Sequence, residues 1–70
     1  MKLPVISGAE LTKVAVKIGF AITRQKGSHL ILKKESVLLV IPQHKELKKG
    51  TLLQILRVMG LSKEELIALL

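Results

Sequence analysis

Two tight connections, Lys26-Gly27 and Glu35-Ser36, cut the middle of this 70-residue chain into three short β-rich runs. Links that short can join only antiparallel neighbours, because a parallel pair needs a crossover of a dozen residues or more. Strand 1 is predicted over Phe20-Ala21-Ile22-Thr23-Arg24-Gln25, strand 2 over Ser28 to Lys34, and strand 3 over Val37-Leu38-Leu39-Val40-Ile41. The unbroken apolar run of strand 3 suggests burial on both faces. Pro42, which lacks a ladder donor, is expected to end it.

Helix signals flank this sheet. Ser7-Gly8-Ala9-Glu10 reads as a capping box, followed by Leu11, Val14, Ala15 and Ile18 at the spacing of one buried stripe, with Lys13 and Lys17 on the wet side and Gly19 as the stop. After a polar loop from Gln43 to Lys49, Gly50-Thr51 opens a second helix with Leu52, Ile55, Leu56 and Met59 on its core face and Gly60 at its end. Ser62-Lys63-Glu64-Glu65 is a second capping box, so a short terminal helix carries Leu66, Ile67, Leu69 and Leu70. The expected fold is α+β: a single α-β-β-β-α domain over residues 1–70, a three-stranded antiparallel sheet with helices on one face and a short C-terminal helix. That architecture resembles the double-stranded-RNA-binding domain.

Composition narrows the function classes. There are no cysteines, which excludes a disulfide framework and thiolate metal sites, and the two histidines and five acids show no ligand spacing, so neither a metal nor a cofactor is implied. No apolar run reaches the ~18 residues of a membrane span, and Met1-Lys2-Leu3-Pro4 leads into a helix signal without a cleavable apolar segment. No helix combines a basic face with a broad apolar one, so a membrane surface is not the expected partner either, and the cytoplasm is the default location. The net charge of +7 is uneven: Arg24, Lys26, Lys33, Lys34, Lys45, Lys48 and Lys49 stand against only Glu35 and Glu46 in the middle of the chain. Such a distribution suits a polyanion such as nucleic acid; the alternative is that these lysines keep a greasy small protein soluble.

Strand parity adds an apolar surface. One side of strand 2 carries His29, Ile31 and Lys33, and the other Ser28, Leu30, Leu32 and Lys34. Both sides hold aliphatics, yet both main helices should cover the same face. Some of Leu30, Ile31, Leu32, Leu38 and Val40 are therefore expected to form an exposed patch, with Ile31 and Leu38 as the partner surface. Alternatively the C-terminal helix folds over it, or a homo-oligomer buries it.

Three blocks remain: Lys26-Gly27-Ser28-His29, then Ile41-Pro42-Gln43-His44, then Lys49-Gly50-Thr51-Leu52-Leu53-Gln54-Ile55-Leu56. In this order and spacing, across nearly the whole chain, they resemble the HicA-type toxins, RNA-cleaving members of toxin–antitoxin pairs. The resemblance implies an mRNA substrate, a HicB-like antitoxin and an essential histidine at His29, with Ile41 where the family often has valine. RNA is cleaved without metal when a base takes the 2′-hydroxyl proton, the freed oxygen attacks the adjacent phosphate and an acid protonates the leaving oxygen. Imidazole, with an unperturbed pKa of ~6.5, suits either proton transfer. Gly27 beside it lets an RNA backbone approach closely.

Supporting roles are expectations of position. Ser28 is a candidate to hold the phosphate or the imidazole, and Arg24 and Lys26 to stabilise the pentavalent phosphate. His44 is either a second proton-transfer or phosphate-binding group, or a loop histidine that bridges strand 3 to the second helix. Lys45, Lys48 and Lys49 are a phosphate-binding run before a positive helix N-terminus, or simply a solvated charge run. Lys33 joins the RNA-binding set, while Thr51 belongs to the helix start. Phe20 is the only aromatic residue, so there is no stacking platform for splayed bases, and loose sequence preference follows. The competing readings are a non-catalytic duplex-RNA-binding or chaperone module and an inactive homologue that binds its antitoxin.

Overall fold

In the computed structural model, which describes residues 2–70, the chain runs α1 (Gly8–Lys17), β1 (Ala21–Lys26), β2 (His29–Lys34), β3 (Val37–Pro42), α2 (Lys49–Met59) and α3 (Lys63–Leu69). Helix α1 starts where it does because the Glu10 N–H donates to the Ser7 hydroxyl and the Ser7 N–H donates to the Glu10 carboxylate, both at 3.0 Å. The same reciprocal cap joins Ser62 and Glu65 at the start of α3. Each cap satisfies two otherwise orphaned donors and contributes about 1 kcal/mol. At the other end of α1, Lys34 Nζ donates to the Ile18 carbonyl at 2.6 Å, setting a cation against the negative end of the helix, and Gly19 turns the chain with φ +106°.

The strands form one antiparallel sheet in the order β1-β2-β3. Both hairpins are two-residue turns, Gly27-Ser28 and Glu35-Ser36, with positive φ at Gly27 and Glu35. Strand limits therefore move by a residue from the sequence expectation: Lys26 is the last residue of β1, and Ser28 lies in the turn. Phe20 precedes β1 and is buried in the core.

Helices α1 and α2 both pack against β3, and α3 packs against α1. Leu30, Leu32, Leu39 and Ile41 point inward to meet Leu11, Val14, Leu52, Ile55, Leu56 and Leu66. Full burial of such a side chain contributes about 1.5–3 kcal/mol. Leu30 and Leu32 thus leave the set of candidate exposed aliphatics. Lys17 Nζ donates to the Leu69 carbonyl at 2.7 Å and Leu66 is fully buried, so α3 completes the core instead of folding over the far side of the sheet.

Strand 3 departs from expectation twice. It is buried on one face only: Leu39 and Ile41 are covered, whereas Leu38 and Val40 are 61% and 48% exposed. With every helix on one side, a continuous apolar run gains nothing for its outward residues. The strand also takes in Pro42, which pairs with His29. β3 is an edge strand, and the next residue, Gln43, makes the bond to β2, so the missing N–H of Pro42 falls on the side without a partner strand. Helix α2 likewise begins at Lys49, one residue earlier than predicted, with Lys48 as an N-cap whose side chain makes no capping bond.

Candidate functional site

Register partners in a sheet share a face. On the side away from the helices they form three rows across β1, β2 and β3: Lys26, His29 and Pro42; Arg24, Ile31 and Val40; Ala21, Lys33 and Leu38. His29 is exposed at the start of the central strand, between a cation and the proline ring. The face is divided, with Arg24, Lys26 and Lys33 toward β1 and Leu38 and Val40 on β3.

A bulge at Thr23 creates this arrangement. Ala21 pairs with Lys33 on the open face and Ile22 with Leu32 on the inner one, but the register slips and Arg24, not Thr23, pairs with Ile31. If β1 alternated strictly through Thr23, Arg24 and Lys26 would turn toward the helix side. The Thr23 hydroxyl donates to the Ile31 carbonyl at 3.0 Å, tying the bulge to the central strand. Sequence reasoning proposed Arg24 and Lys26 from nearness to His29 alone. The residue that aims them, Thr23, carried no signal beyond its β-branched side chain.

The second histidine block lies beside the first. The Gln43 N–H donates to the Ser28 carbonyl at 2.6 Å, extending the β2–β3 ladder past the proline, and His44 follows as an exposed residue. This corner is fastened to the start of α1. The Gly8 N–H donates to the His44 carbonyl at 2.9 Å, and the Leu47 N–H donates to the Ile6 carbonyl at 2.9 Å. Gln43 Nε2 donates to the Ile41 carbonyl at 3.0 Å and to the Thr12 hydroxyl at 3.3 Å, while that hydroxyl donates to the Gly8 carbonyl at 2.8 Å. Gly8 is required here: a Cβ would overlap the Pro42 carbonyl oxygen and lie 2.9 Å from the Gln43 Cα. The backbones of the two histidine blocks are therefore adjacent and rigidly held, whereas both imidazoles are open to solvent.

The predicted cations separate into groups. Arg24, Lys26 and Lys33 share the open face with His29. Lys34 is on the opposite face, occupied by the α1 carboxyl end. Lys45, Lys48 and Lys49 are exposed on the segment from His44 into α2, and Lys49 lines a shallow depression with Lys2 and Lys63. That last grouping, from three separate parts of the chain, had no sequence signature. Ile31 and Leu38 both stand on the open face. A solvent-accessible imidazole with one cation beside it and another in the next row can exchange protons with a bound polyanion while the cations hold its phosphates.

Residues 8–61 match the family model described as the HicA toxin of bacterial toxin–antitoxin. The chain belongs to the HicA toxin family. The matched span opens at the Gly8 seat, contains both histidine blocks and all of α2, and ends before α3. A toxin role within a toxin–antitoxin system, and hence an antitoxin partner, follows from that membership. A comparison with curated proteins gives no match. Among the described residues of this HicA family member no helix is long and apolar enough to cross a membrane, and no group of three His, Asp or Glu side chains is placed to hold a metal ion.

Proposed function

We propose that this HicA family toxin is a metal-independent endoribonuclease of the cytoplasm that cleaves mRNA through His29, acting as a single domain and held inactive by a HicB-like antitoxin. The observation that carries the reading is the open-face row in which Lys26 and His29 are neighbours, with Arg24 in the next row. His29 takes the proton of a ribose 2′-hydroxyl, the 2′-oxygen attacks the adjacent phosphorus, and the bond to the 5′-oxygen breaks. The leaving oxygen takes a proton from His44 or from water, so the products carry 2′,3′-cyclic phosphate and 5′-hydroxyl ends. Arg24 and Lys26 stabilise the charge on the pentavalent phosphate, Lys33, Lys45, Lys48 and Lys49 hold flanking phosphates, and Gly27 and Ser28 admit and orient the backbone.

The antitoxin occupies the same face, covering Ile31, Leu38 and Val40. Inhibition then needs no conformational change, because a protein seated on these aliphatics overhangs the histidine in the adjoining row. The deciding experiment replaces His29 by alanine. The reading expects RNA cleavage to fall by about 10²–10⁴-fold and growth arrest to disappear, with a near-native thermal midpoint since the side chain is exposed. A well-expressed His29→Ala protein of full toxicity overturns it. Tight duplex-RNA binding by the unaltered chain without cleavage would instead favour a binding module.

A further inference from the structure

The lysines of this chain fall into two kinds. Lys17 and Lys34 use their ammonium groups inside the molecule, each donating to a carbonyl at a helix end. The side chains of Lys2, Lys49 and Lys63 take part in no internal hydrogen bond among the described residues, and they meet from three separate segments: the stretch before α1, the first residue of α2 and the first residue of α3. With Leu3 they line a shallow depression of about 340 Å³, and no acid is among its lining residues. Like charges gathered around one concavity repel each other, and a bound anion relieves that repulsion.

Two features select the anion. The wall is cationic with a single half-buried aliphatic, Leu3, which is the character of a nucleic-acid contact, whereas the centre of a protein contact is apolar and depleted of charge. The depression is also continuous with the histidine corner. His29 pairs with Pro42, and from there the exposed residues His44, Lys45 and Lys48 lead to Lys49, with Glu46 the one acid on the way. The stretch from Pro42 to Lys49 can span at most about 25 Å. On the other side of His29 stand Arg24, Lys26 and Lys33. One strand of RNA therefore has cations to follow in both directions from the histidine.

We infer that Lys2, Lys49 and Lys63 form a distal phosphate subsite, which holds an RNA strand beyond the nucleotides at His29 and favours strands long enough to cross from the sheet to α2. This rests on the RNA reading above and adds a length requirement to it. Lys2 and Lys63 lie outside residues 8–61, so the subsite belongs to this chain and is not carried by the family match.

The test reads binding, so it does not need His29 to perform the chemistry. The full chain carrying His29→Ala, taken as the parent, is titrated with a uridine dinucleotide and a uridine dodecamer. Adding Lys2→Ala with Lys63→Ala should weaken dodecamer binding about tenfold and reduce the slope of log affinity against log salt by about 0.7, the share of one phosphate on a single strand. The dinucleotide, too short to join the two sites, should bind both proteins alike within about twofold. Lys2→Arg with Lys63→Arg should keep the parent affinity. Lys13→Glu makes the same change of net charge in a different depression, beside the end of α3, and should leave dodecamer binding within about twofold of the parent. Should the alanine pair fail to fold, Lys2→Gln alone, at an exposed position before the first helix, should give a loss of about threefold in the same direction. Four results overturn the proposal: unchanged dodecamer affinity in the alanine pair, an equal loss in Lys13→Glu, displacement of the dodecamer by polyglutamate as readily as by unlabelled RNA, which would make an acidic protein the occupant, or displacement by inorganic phosphate at matched phosphate concentration, which would make a free anion the ligand. A parent that binds neither RNA at low salt removes the substrate reading itself, and the subsite with it.

Discussion

Replacing Gly8 by alanine should destabilise the protein although alanine is the better helix former. A Cβ at Gly8 overlaps the Pro42 carbonyl oxygen and lies 2.9 Å from the Gln43 Cα, and both obstacles are backbone. Neither can rotate away as a side chain would. Either α1 or the Pro42–His44 segment must move, which costs about 1–3 kcal/mol as overpacking does elsewhere. Movement also stretches the 2.9 Å bond from the Gly8 N–H to the His44 carbonyl, losing about 0.5–1.5 kcal/mol more. Against this, alanine gains at most ~1 kcal/mol of helix propensity.

The net loss is about 0.5–3.5 kcal/mol, centred near 2, a large part of the roughly 4–10 kcal/mol expected for a chain this size. For such a domain the thermal midpoint should fall by roughly 10–20 °C. Gly50→Ala is the internal control. It is the same substitution in the first turn of α2, where a Cβ meets nothing within 4 Å, and it should raise stability by up to ~1 kcal/mol. Urea titrations of both variants decide the matter: a Gly8→Ala protein as stable as the parent would show that the corner yields freely. Under the proposed function Gly8→Ala should also lower cleavage beyond the loss of folded protein, since it displaces the segment fixed beside Ser28.

Cleavage should proceed in excess EDTA and leave 2′,3′-cyclic phosphate ends; loss of activity on chelation with recovery in magnesium would refute the acid–base route. Leu38→Asp, at a position 61% exposed, should change the stability of the free protein by less than about 0.5 kcal/mol yet weaken the antitoxin complex by tenfold or more. Ile31→Asp should act in the same direction with a larger folding cost because Ile31 is half-buried. If both variants unfold the free chain and neither alters affinity, the open face is not the contact. Hydrogen bonds from the Ser62 backbone N–H, and secondarily its side chain, hold the Glu65 carboxyl below its usual value of 4.5. A depressed carboxylate contributes stability that is present above the unfolded value and lost as pH falls through the lower folded one. Acid should therefore loosen α3 selectively, seen as faster exchange at Lys63–Leu69, and Glu65→Gln should remove that pH dependence.

Much of the fold could be read because local signals agreed with one another. Both capping boxes are present as predicted, the stripes at Leu11, Val14 and Ala15 and at Leu52, Ile55, Leu56 and Met59 face the core, and two-residue turns left only an antiparallel meander. What escaped was sidedness at β3. Val37 to Ile41 reads identically whether one face or both are covered, and only the placement of α1, α2 and α3 together decides it. The unbroken run read by itself suggested burial on both faces, while counting helices against faces put Leu38 and Val40 among the aliphatics expected outside, which is where they stand. Pro42 misled for a related reason, because its meaning depends on whether its strand is at an edge.

The candidate site was legible as a set of residues but not as a geometry. Adjacency of the Gly27-Ser28-His29 and Pro42-Gln43-His44 blocks follows from the hairpin register, which a two-residue turn at Glu35-Ser36 already implies. Placement of Arg24 and Lys26 does not follow, since a strictly alternating β1 would put Thr23 on the open face in place of Arg24. One inserted residue reverses the parity of everything after it, and no residue type in Ile22-Thr23-Arg24 announces the insertion. The bulge has two consequences at once: it guards the β1 edge and turns two cations toward His29. The opposite edge has neither device, and it is there that Leu38 and Val40 stand exposed. A single strand irregularity thus separates a cationic border at β1 from an apolar one at β3, and the histidine row joins them.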